Sequence, residues 1–356
     1  MQDTDLQEWG FSPELSASLK EGEILARVVE EQKTQYRVVS ERGVLVGQLK
    51  GSLLHPSVDR MARPVVGDWV IARPLWNEGK AVIQRVAPRK SLLRRKAAGE
   101  DESIQPLAAN VDCTFIVTSV NRDFNAKRLD RYLTIAFESG SRAAVLLTKS
   151  DLEPGSVALA LELGAKHKVP CLALSALTGE GLDPLRALLQ PRETVVFVGS
   201  SGVGKSTLVN ALLGREEQST AAIREEDDRG RHTTTARRLI RLSSGALVID
   251  TPGLREIQLG ADQEAGLEQS FANIEALALT CKFTNCQHES EPGCAVKLSL
   301  KRGELDADQF ASFQKLKREL NFETRKVDKA AAAEQKKEWK SRAREAGEAG
   351  KRKRGT

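Results

Sequence analysis

Apolar positions along this chain fall into two regimes. Before Lys96 they come as short β-branched or apolar runs, from Ile24 to Val29, Tyr36 to Ser40, Val44 to Leu49, Asp68 to Arg73 and Ala81 to Val86. Turn signals cut them apart at Glu41-Arg-Gly43, at Pro64 with Gly67-Asp68, and at Asn77-Glu-Gly79. That punctuation predicts five strands, and five short strands suit a small OB-type β-barrel, an architecture that commonly binds oligonucleotides. Gly99 to Gln105 is polar and reads as a linker. From Val111 the pattern alternates. Strands are predicted from Val111 to Val120, Ala143 to Leu147, Val169 to Leu174 and Thr194 to Val198, with helical patterns from Ala126 to Phe137, Leu182 to Leu189 and Thr207 to Leu213 between and after them. Strand–helix alternation implies a parallel sheet covered on both faces. Arg238 to Leu242 and Ala246 to Ile249 read as a hairpin, and beyond Gly260 the pattern is helical, including Val296 to Leu300 and Gln309 to Phe322.

The strand from Thr194 runs into Gly199-Ser-Ser-Gly-Val-Gly-Lys-Ser206, a match to G-x-x-x-x-G-K-[ST]. Strand, glycine loop and helix are the context that motif needs. Its glycines let backbone N–H groups turn onto phosphate oxygens, and the helix N-terminus adds partial positive charge. Lys205 is placed to reach the β- and γ-phosphates and Ser206 to hold Mg²⁺. A chance glycine turn would lack these flanks.

Other strand ends carry the remaining parts of a guanine-nucleotide site. Asp250-Thr-Pro-Gly253 follows a strand, as a switch that senses Mg²⁺ through Asp250 and the γ-phosphate through the N–H of Gly253. Thr233 to Thr235, in a charged strand-poor stretch, offer a threonine to close on Mg²⁺, with no choice among the three. Thr148-Lys-Ser-Asp151 has the form of a base-reading motif: Asp151 accepts from guanine N1–H and N2–H₂, Lys149 lies over the ring, and the N–H of Ala176, after Ser175, bonds O6. The later Lys326-Val-Asp328 has no strand before it and fails. Ligands of such sheets sit at the carboxyl ends of strands. The base motif precedes the phosphate loop, so the domain reads as a circularly permuted G domain. The expected nucleotide site is Thr148, Lys149, Ser150, Asp151, Ser175, Ala176, Gly199, Ser200, Ser201, Gly202, Val203, Gly204, Lys205, Ser206, Thr207, Asp250 and Gly253, with Mg²⁺ on Ser206 and Asp250.

Three of five cysteines and one of four histidines cluster as Cys281-x₄-Cys286-x-His288-x₅-Cys294. Three thiolates and an imidazole suit one closed, structural Zn²⁺ site, against the alternative of unpaired buried thiols. Cys113 and Cys171 lie in apolar runs and read as inert core.

The chain has 356 residues and a net charge of +5. Residues 323–356 alone carry about +6, which suggests a polyanionic partner. Six bases between Arg85 and Lys96 with no acid among them read either as an RNA contact or as a solvated face or linker. The first twenty residues lack a signal-peptide pattern and no stretch has the length of a membrane span, so a cytoplasmic protein with no membrane contact is expected.

The permuted order, Gly230-Arg-His-Thr-Thr-Thr235 and the cysteine segment running through Glu291-Pro-Gly-Cys-Ala-Val296 resemble ribosome small-subunit-dependent GTPase A. The resemblance covers about residues 23–322. It implies an RNA-binding OB-fold at 23–98, a permuted GTPase domain at 106–259 and a helical zinc domain at 260–322; an N-terminal extension at 1–22 and the basic tail at 323–356 lie outside it. It also implies a monomer that binds the small ribosomal subunit and its rRNA late in maturation and hydrolyses GTP to GDP and phosphate slowly until the subunit stimulates it. Leu254 stands where many G proteins place a water-orienting Gln; His232 is the catalytic residue carried over from the family, its alternative being a plain solvent-exposed loop histidine. Thr148 replaces the usual Asn of the base motif, and a hydroxyl has no amide to brace the neighbouring loop, so weaker nucleotide affinity is expected. A P-loop ATPase or kinase is disfavoured by Asp151 and Ser175-Ala176, and an inactive RNA-binding protein by intact Lys205, Ser206 and Asp250.

Overall fold

Five strands form where the short runs predict them: β1 (Ile24–Gln32), β2 (Gln35–Ser40), β3 (Gly43–Leu49), β4 (Trp69–Leu75) and β5 (Lys80–Val86). A helical turn, α1 (Gly51–Leu54), follows β3. In this computed structural model, which describes residues 4–32, 35–54, 59–96, 104–120, 124–213, 237–250, 264–322 and 324–325, the strands pair in the order β1-β2-β3-β5-β4 and β4 returns to β1. Closure removes the free edges of the sheet. Inward residues Ala26, Val28, Val38, Leu45, Val70, Ala72 and Ile83 fill the barrel. Two 3₁₀ turns, Leu6–Trp9 and Pro13–Ser18, lay Leu6, Trp9, Phe11, Leu15 and Leu19 over Leu25, Trp69, Ile71 and Ala87 on its outside.

The polar stretch expected as a linker is different where it is described. Ile104 and Gln105 begin β7 (Ile104–Ala109), which pairs antiparallel with β6 (Leu92–Lys96). The basic run is also spent internally: Arg85 pairs with Glu23 at 2.8 Å, Arg89 with Asp68 at 2.7 Å, Lys90 with Asp112 at 2.5 Å and Arg94 with Glu138 at 3.2 Å. Arg89 and Arg94 are largely covered, whereas the Lys90 side chain remains 53% exposed on a solvated face. Their carboxylates lie elsewhere in sequence, which is why local composition hides them.

The second sheet half contains β8 (Cys113–Ser119), β9 (Arg142–Thr148), β10 (Cys171–Leu174), β11 (Thr194–Val198), β12 (Arg237–Arg241) and β13 (Leu247–Asp250). Its order is β10-β9-β8-β11-β13-β12, parallel except for β12. Side chains alternate across it. Phe115, Val117, Leu146, Val195 and Phe197 pack with α4 (Leu182–Leu188) and α5 (Lys205–Leu213) on one face. Ile116, Val145, Leu147, Val196 and Val198 pack with α2 (Ala126–Glu138) and α3 (Ser156–His167) on the other. Burial on both faces is the reason these strands read as continuous apolar runs.

β12 continues the sheet onto the barrel by pairing with β1, Glu30 opposite Arg238 and Glu31 opposite Arg237. Ion pairs at 3.3 and 3.2 Å join these residues. Beside this junction the buried Arg27 guanidinium donates to the Trp9 carbonyl and, at 2.6 Å, to Thr194 Oγ1, and lies 5.4 Å from the Trp69 ring. Burial pushes its pKa down to about 10, and Asp112 and Asp68 oppose the shift.

Four helices follow: α6 (Glu264–Ser270), α7 (Ala272–Ala278), α8 (Ala295–Arg302) and α9 (residues 307–322). A Cβ on Gly266 would lie 2.3 Å from the Thr134 carbonyl oxygen, so α6 crosses α2 too closely for any other residue. Phe271, Phe310 and Phe313 extend the α2-side core. Arg131 of α2 grips both carboxylate oxygens of Glu319 at 2.9 and 2.8 Å. The covered side chain of His167 in α3 lies 3.8 Å from Asp130 of α2; burial pushes the imidazole pKa down to about 4 and the Asp130 carboxyl up. Among the described residues no helix is long and apolar enough to cross a membrane.

Candidate functional site

Register brings the separate motifs to one edge. Thr148 pairs with Ser119 and with Leu174, Val198 with Ile116, and Ile249 with Val196. The carboxyl ends of β9, β10, β11 and β13 therefore share one rim, and each delivers a motif there. β9 ends at Thr148. Lys149 then turns through the left-handed region at φ 62°, and Ser150 and exposed Asp151 form a 3₁₀ turn. Ser150 is buried and its hydroxyl has no hydrogen-bond partner among the described residues. β10 delivers buried Ser175 and half-buried Ala176; the Ser175 hydroxyl accepts the N–H of Thr178 at 3.2 Å, closing the turn. β13 ends on Asp250.

The phosphate loop runs Gly199, Ser200, Ser201, Gly202, Val203 and Gly204, and Lys205, Ser206 and Thr207 open α5. A Cβ at Gly199 (φ 149°) would fall 2.1 Å from the Val117 carbonyl oxygen, so the chain can leave β11 against β8 only as glycine. Lys205 Nζ curls back onto the carbonyls of Gly199 and Ser200 at 2.7 and 2.6 Å.

Thr148 makes a contact to the phosphate loop that the sequence did not show. Its hydroxyl donates to the carbonyl of Val203 at 2.6 Å in a buried contact, so the base-reading strand does brace the phosphate loop. Thr148 reaches it because β9, β8 and β11 are successive neighbours and their ends are level. The sequence signals the Asn-to-Thr exchange but not the distance that makes a short hydroxyl sufficient.

Cys281, Cys286, His288 and Cys294 converge, with all four ligand atoms within 4.8 Å of one another. Cys281 and Cys294 sulfurs are 3.9 Å apart, and His288 Nδ1 lies 3.4 Å from the Cys294 sulfur and 3.7 Å from that of Cys281. Sulfurs bound tetrahedrally at about 2.3 Å from Zn²⁺ sit roughly 3.8 Å apart, so the donor set fits that ion. His288 adopts φ 62°, and its ring meets Phe310 edge-on at 6.4 Å. The Glu291 carboxylate accepts N–H groups of Gln287, Glu289 and Ser290 at 2.8, 2.8 and 3.0 Å, tying the loop between ligands; these bonds, that from Gln287 foremost, hold its pKa down at about 2. Burial pushes the thiol of Cys113 up to about 11 and that of Cys171 up to about 12, consistent with inert core.

His232, Thr233 to Thr235, Gly253, Leu254 and the tail beyond 325 lie outside the described residues. Sequence reading missed Arg128 of α2, whose Nη1 donates to Ser200 Oγ at 2.7 Å. Only its place in the first turn of a predicted helix was visible.

Two outcomes follow from this geometry. Thr148→Val keeps the side-chain shape but leaves the Val203 carbonyl without its donor, a loss of about 1 kcal/mol. Titration should show GTP and GDP both weakened roughly fivefold, with Thr148→Ser retaining parent affinity; a parent-like Thr148→Val would remove the brace. Protein purified without chelator should carry one Zn²⁺ per chain by elemental analysis. Cys286→Ala should lose it and the α7–α9 circular dichroism signal while nucleotide binding stays measurable, because the metal supplies folding free energy to a small segment. A zinc-free parent protein with the same spectrum would refute the site.

A sequence model of the RsgA GTPase family matches residues 86–260. The small ribosomal subunit biogenesis GTPase RsgA 2 of Lactiplantibacillus plantarum is 43% identical over 325 residues, spanning 90% of each chain. RsgA of Opitutus terrae is 42% identical over 324 residues, spanning 88% of each. The crystal structure of YjeQ from Thermotoga maritima aligns at TM-score 0.63 and 25% identity, over 84% of this chain and 98% of that one. That of YloQ, a circularly permuted GTPase, shares the fold at TM-score 0.61 and 23% identity, over 86% of this chain and 98% of that one. With the phosphate loop on β11 and the base motif on the earlier β9, on one sheet rim, and with this identity to RsgA proteins along nearly its whole length, the chain belongs to the RsgA GTPase family and is a GTP hydrolase.

Proposed function

We propose that this GTPase binds the small ribosomal subunit, acts late in its maturation, and hydrolyses GTP to GDP and phosphate at a rate that the subunit raises. The observation that carries this is the level register of β9, β10, β11 and β13, which gathers base, phosphate and switch motifs on one rim. Its small-subunit part rests on the relatives, which are named small ribosomal subunit biogenesis GTPases. Asp151 takes the guanine edge, Lys149 covers the ring, Ser150, Ser175 and Ala176 shape the base pocket, and residues 199–207 cradle the phosphates. Ser206 and Asp250 would hold Mg²⁺, which when bound would supply charge neutralisation to the phosphates. Gly253 meets the γ-phosphate and His232 orients water.

The zinc domain and barrel present the GTPase domain to rRNA. Both basic segments, Arg85 to Lys96 and the tail at 323–356, supply salt-dependent phosphate contacts, the first with Arg85, Arg89, Lys90 and Arg94 paired to carboxylates before rRNA binds. The protein works as a monomer in the cytoplasm.

GTP turnover measured with and without purified small subunits tests this reading. The subunits should accelerate hydrolysis, and His232→Ala should keep subunit binding and the slow basal rate yet lose most of the stimulation, within the range of roughly 10³ to 10⁵ that a supplied catalytic group provides. Full stimulation of His232→Ala would move the water-orienting role to RNA or a threonine. Asp151→Asn should weaken GTP relative to ATP in competition binding; unchanged selectivity would break the permuted base assignment.

A further inference from the structure

The reaction needs positive charge on the γ-phosphate as well as an oriented water, and α2 brings an arginine to the phosphate loop. Arg128 lies in the first turn of α2. The Asn125 side chain caps that turn by accepting the backbone N–H of Arg128 at 3.0 Å, which fixes where the side chain starts. Its Nη1 then donates to the hydroxyl of Ser200 at 2.7 Å. The carbonyl of the same Ser200 accepts Lys205 Nζ at 2.6 Å. Two cations thus flank one residue of the loop.

Arg128 differs from the other arginines around it. Arg131, one turn further along α2, is committed to Glu319, and Arg94 to Glu138. Arg128 is exposed and, among the described residues, pairs with no carboxylate. It also sits against its own helix: the first turn of α2 has Lys127 and Arg128 and no acidic residue, although a helix N-terminus is partially positive and favours anions. Local energetics do not explain a cation there, whereas a polyanion on the adjacent loop does.

We propose that Arg128 is an arginine supplied in cis to the γ-phosphate, leaving the Ser200 hydroxyl to donate to γ-phosphate oxygens of bound GTP. In hydrolysis the water oxygen bonds to the γ-phosphorus as the bond to the β–γ bridging oxygen breaks. The electron pair leaves on the β-phosphate, and the water proton ends on the released phosphate. Charge on the γ-oxygens and the bridging oxygen is what a guanidinium stabilises. This rests on the GTPase reading of the site but not on the ribosomal partner.

The test compares full-length Arg128→Ala, Arg128→Lys and Arg131→Ala in single-turnover GTP hydrolysis and in equilibrium binding of GDP and a nonhydrolysable GTP analogue. Arg128→Ala should slow hydrolysis of bound GTP by about 10²- to 10³-fold, the range for losing one preorganised transition-state donor. It should weaken the GTP analogue about tenfold relative to GDP, as expected for a lost charged hydrogen bond. Arg128→Lys should recover part of both, and Arg131→Ala, which loosens the same helix from α9, should match the parent. An unchanged rate in Arg128→Ala would overturn the proposal. So would equal weakening of GDP and the analogue with an unchanged rate for bound GTP, the result for a loop brace, or equal slowing by Arg131→Ala, the result for helix docking. Running the series with and without small subunits separates the readings: a parent protein that subunits fail to stimulate refutes the ribosomal role while the Arg128 comparison stands on the basal rates.

Discussion

The parallel pairing of β8 with β11 is the constraint on which the molecule depends. These strands are remote in sequence, yet Phe115 and Phe197 stack across them at 5.3 Å and Val198 is level with Ile116. The pairing sets the phosphate loop within reach of the first turn of α2 and two strands from the base motif. Two bonds that hold the loop from outside among the described residues, Thr148 to Val203 and Arg128 to Ser200, exist because of it. Permuting the chain order changes which loops are cut and joined and leaves this edge intact, since hydrogen-bond register is indifferent to connectivity.

Charge is the second theme. The barrel, GTPase domain and zinc domain meet through polar contacts laid over apolar packing: the buried Arg27 guanidinium on the Thr194 hydroxyl, and the partly exposed ion pairs Arg238 on Glu30, Arg131 on Glu319 and Lys166 on Asp306. Partly exposed ion pairs contribute little net stability, whereas a misplaced docking that leaves the buried Arg27 charge without its partners is costly. α2 stands at the centre of this arrangement. It touches the phosphate loop at one end through Arg128, α9 through Arg131 and α6 at the other end, where Glu138 accepts the N–H of Gly266 at 3.0 Å.

Much of this was legible in the chain itself. Local patterning determined the strands of the barrel and the parallel sheet, because burial on one or both faces writes period-two or unbroken apolar runs. Thr194 to Val198 is a strand with the predicted limits. The permuted order, the phosphate loop and the four zinc-type ligands were equally determined, since each depends on residue types at fixed spacing and their geometry is local. Only the tertiary structure decided what the charges and hydroxyls do. Arg85, Arg89, Lys90 and Arg94 look like a free basic run until carboxylates from 23, 68, 112 and 138 fold onto them. Thr148 has no visible partner until the level ends of β9, β8 and β11 bring Val203 within 2.6 Å, and Arg128 looks like an ordinary helix arginine until Ser200 is beside it. The reason is physical: burial patterns are set by each residue's own transfer free energy and repeat along the chain, whereas a hydrogen bond or ion pair is set by distance to a partner, and that distance exists only once remote strands have paired.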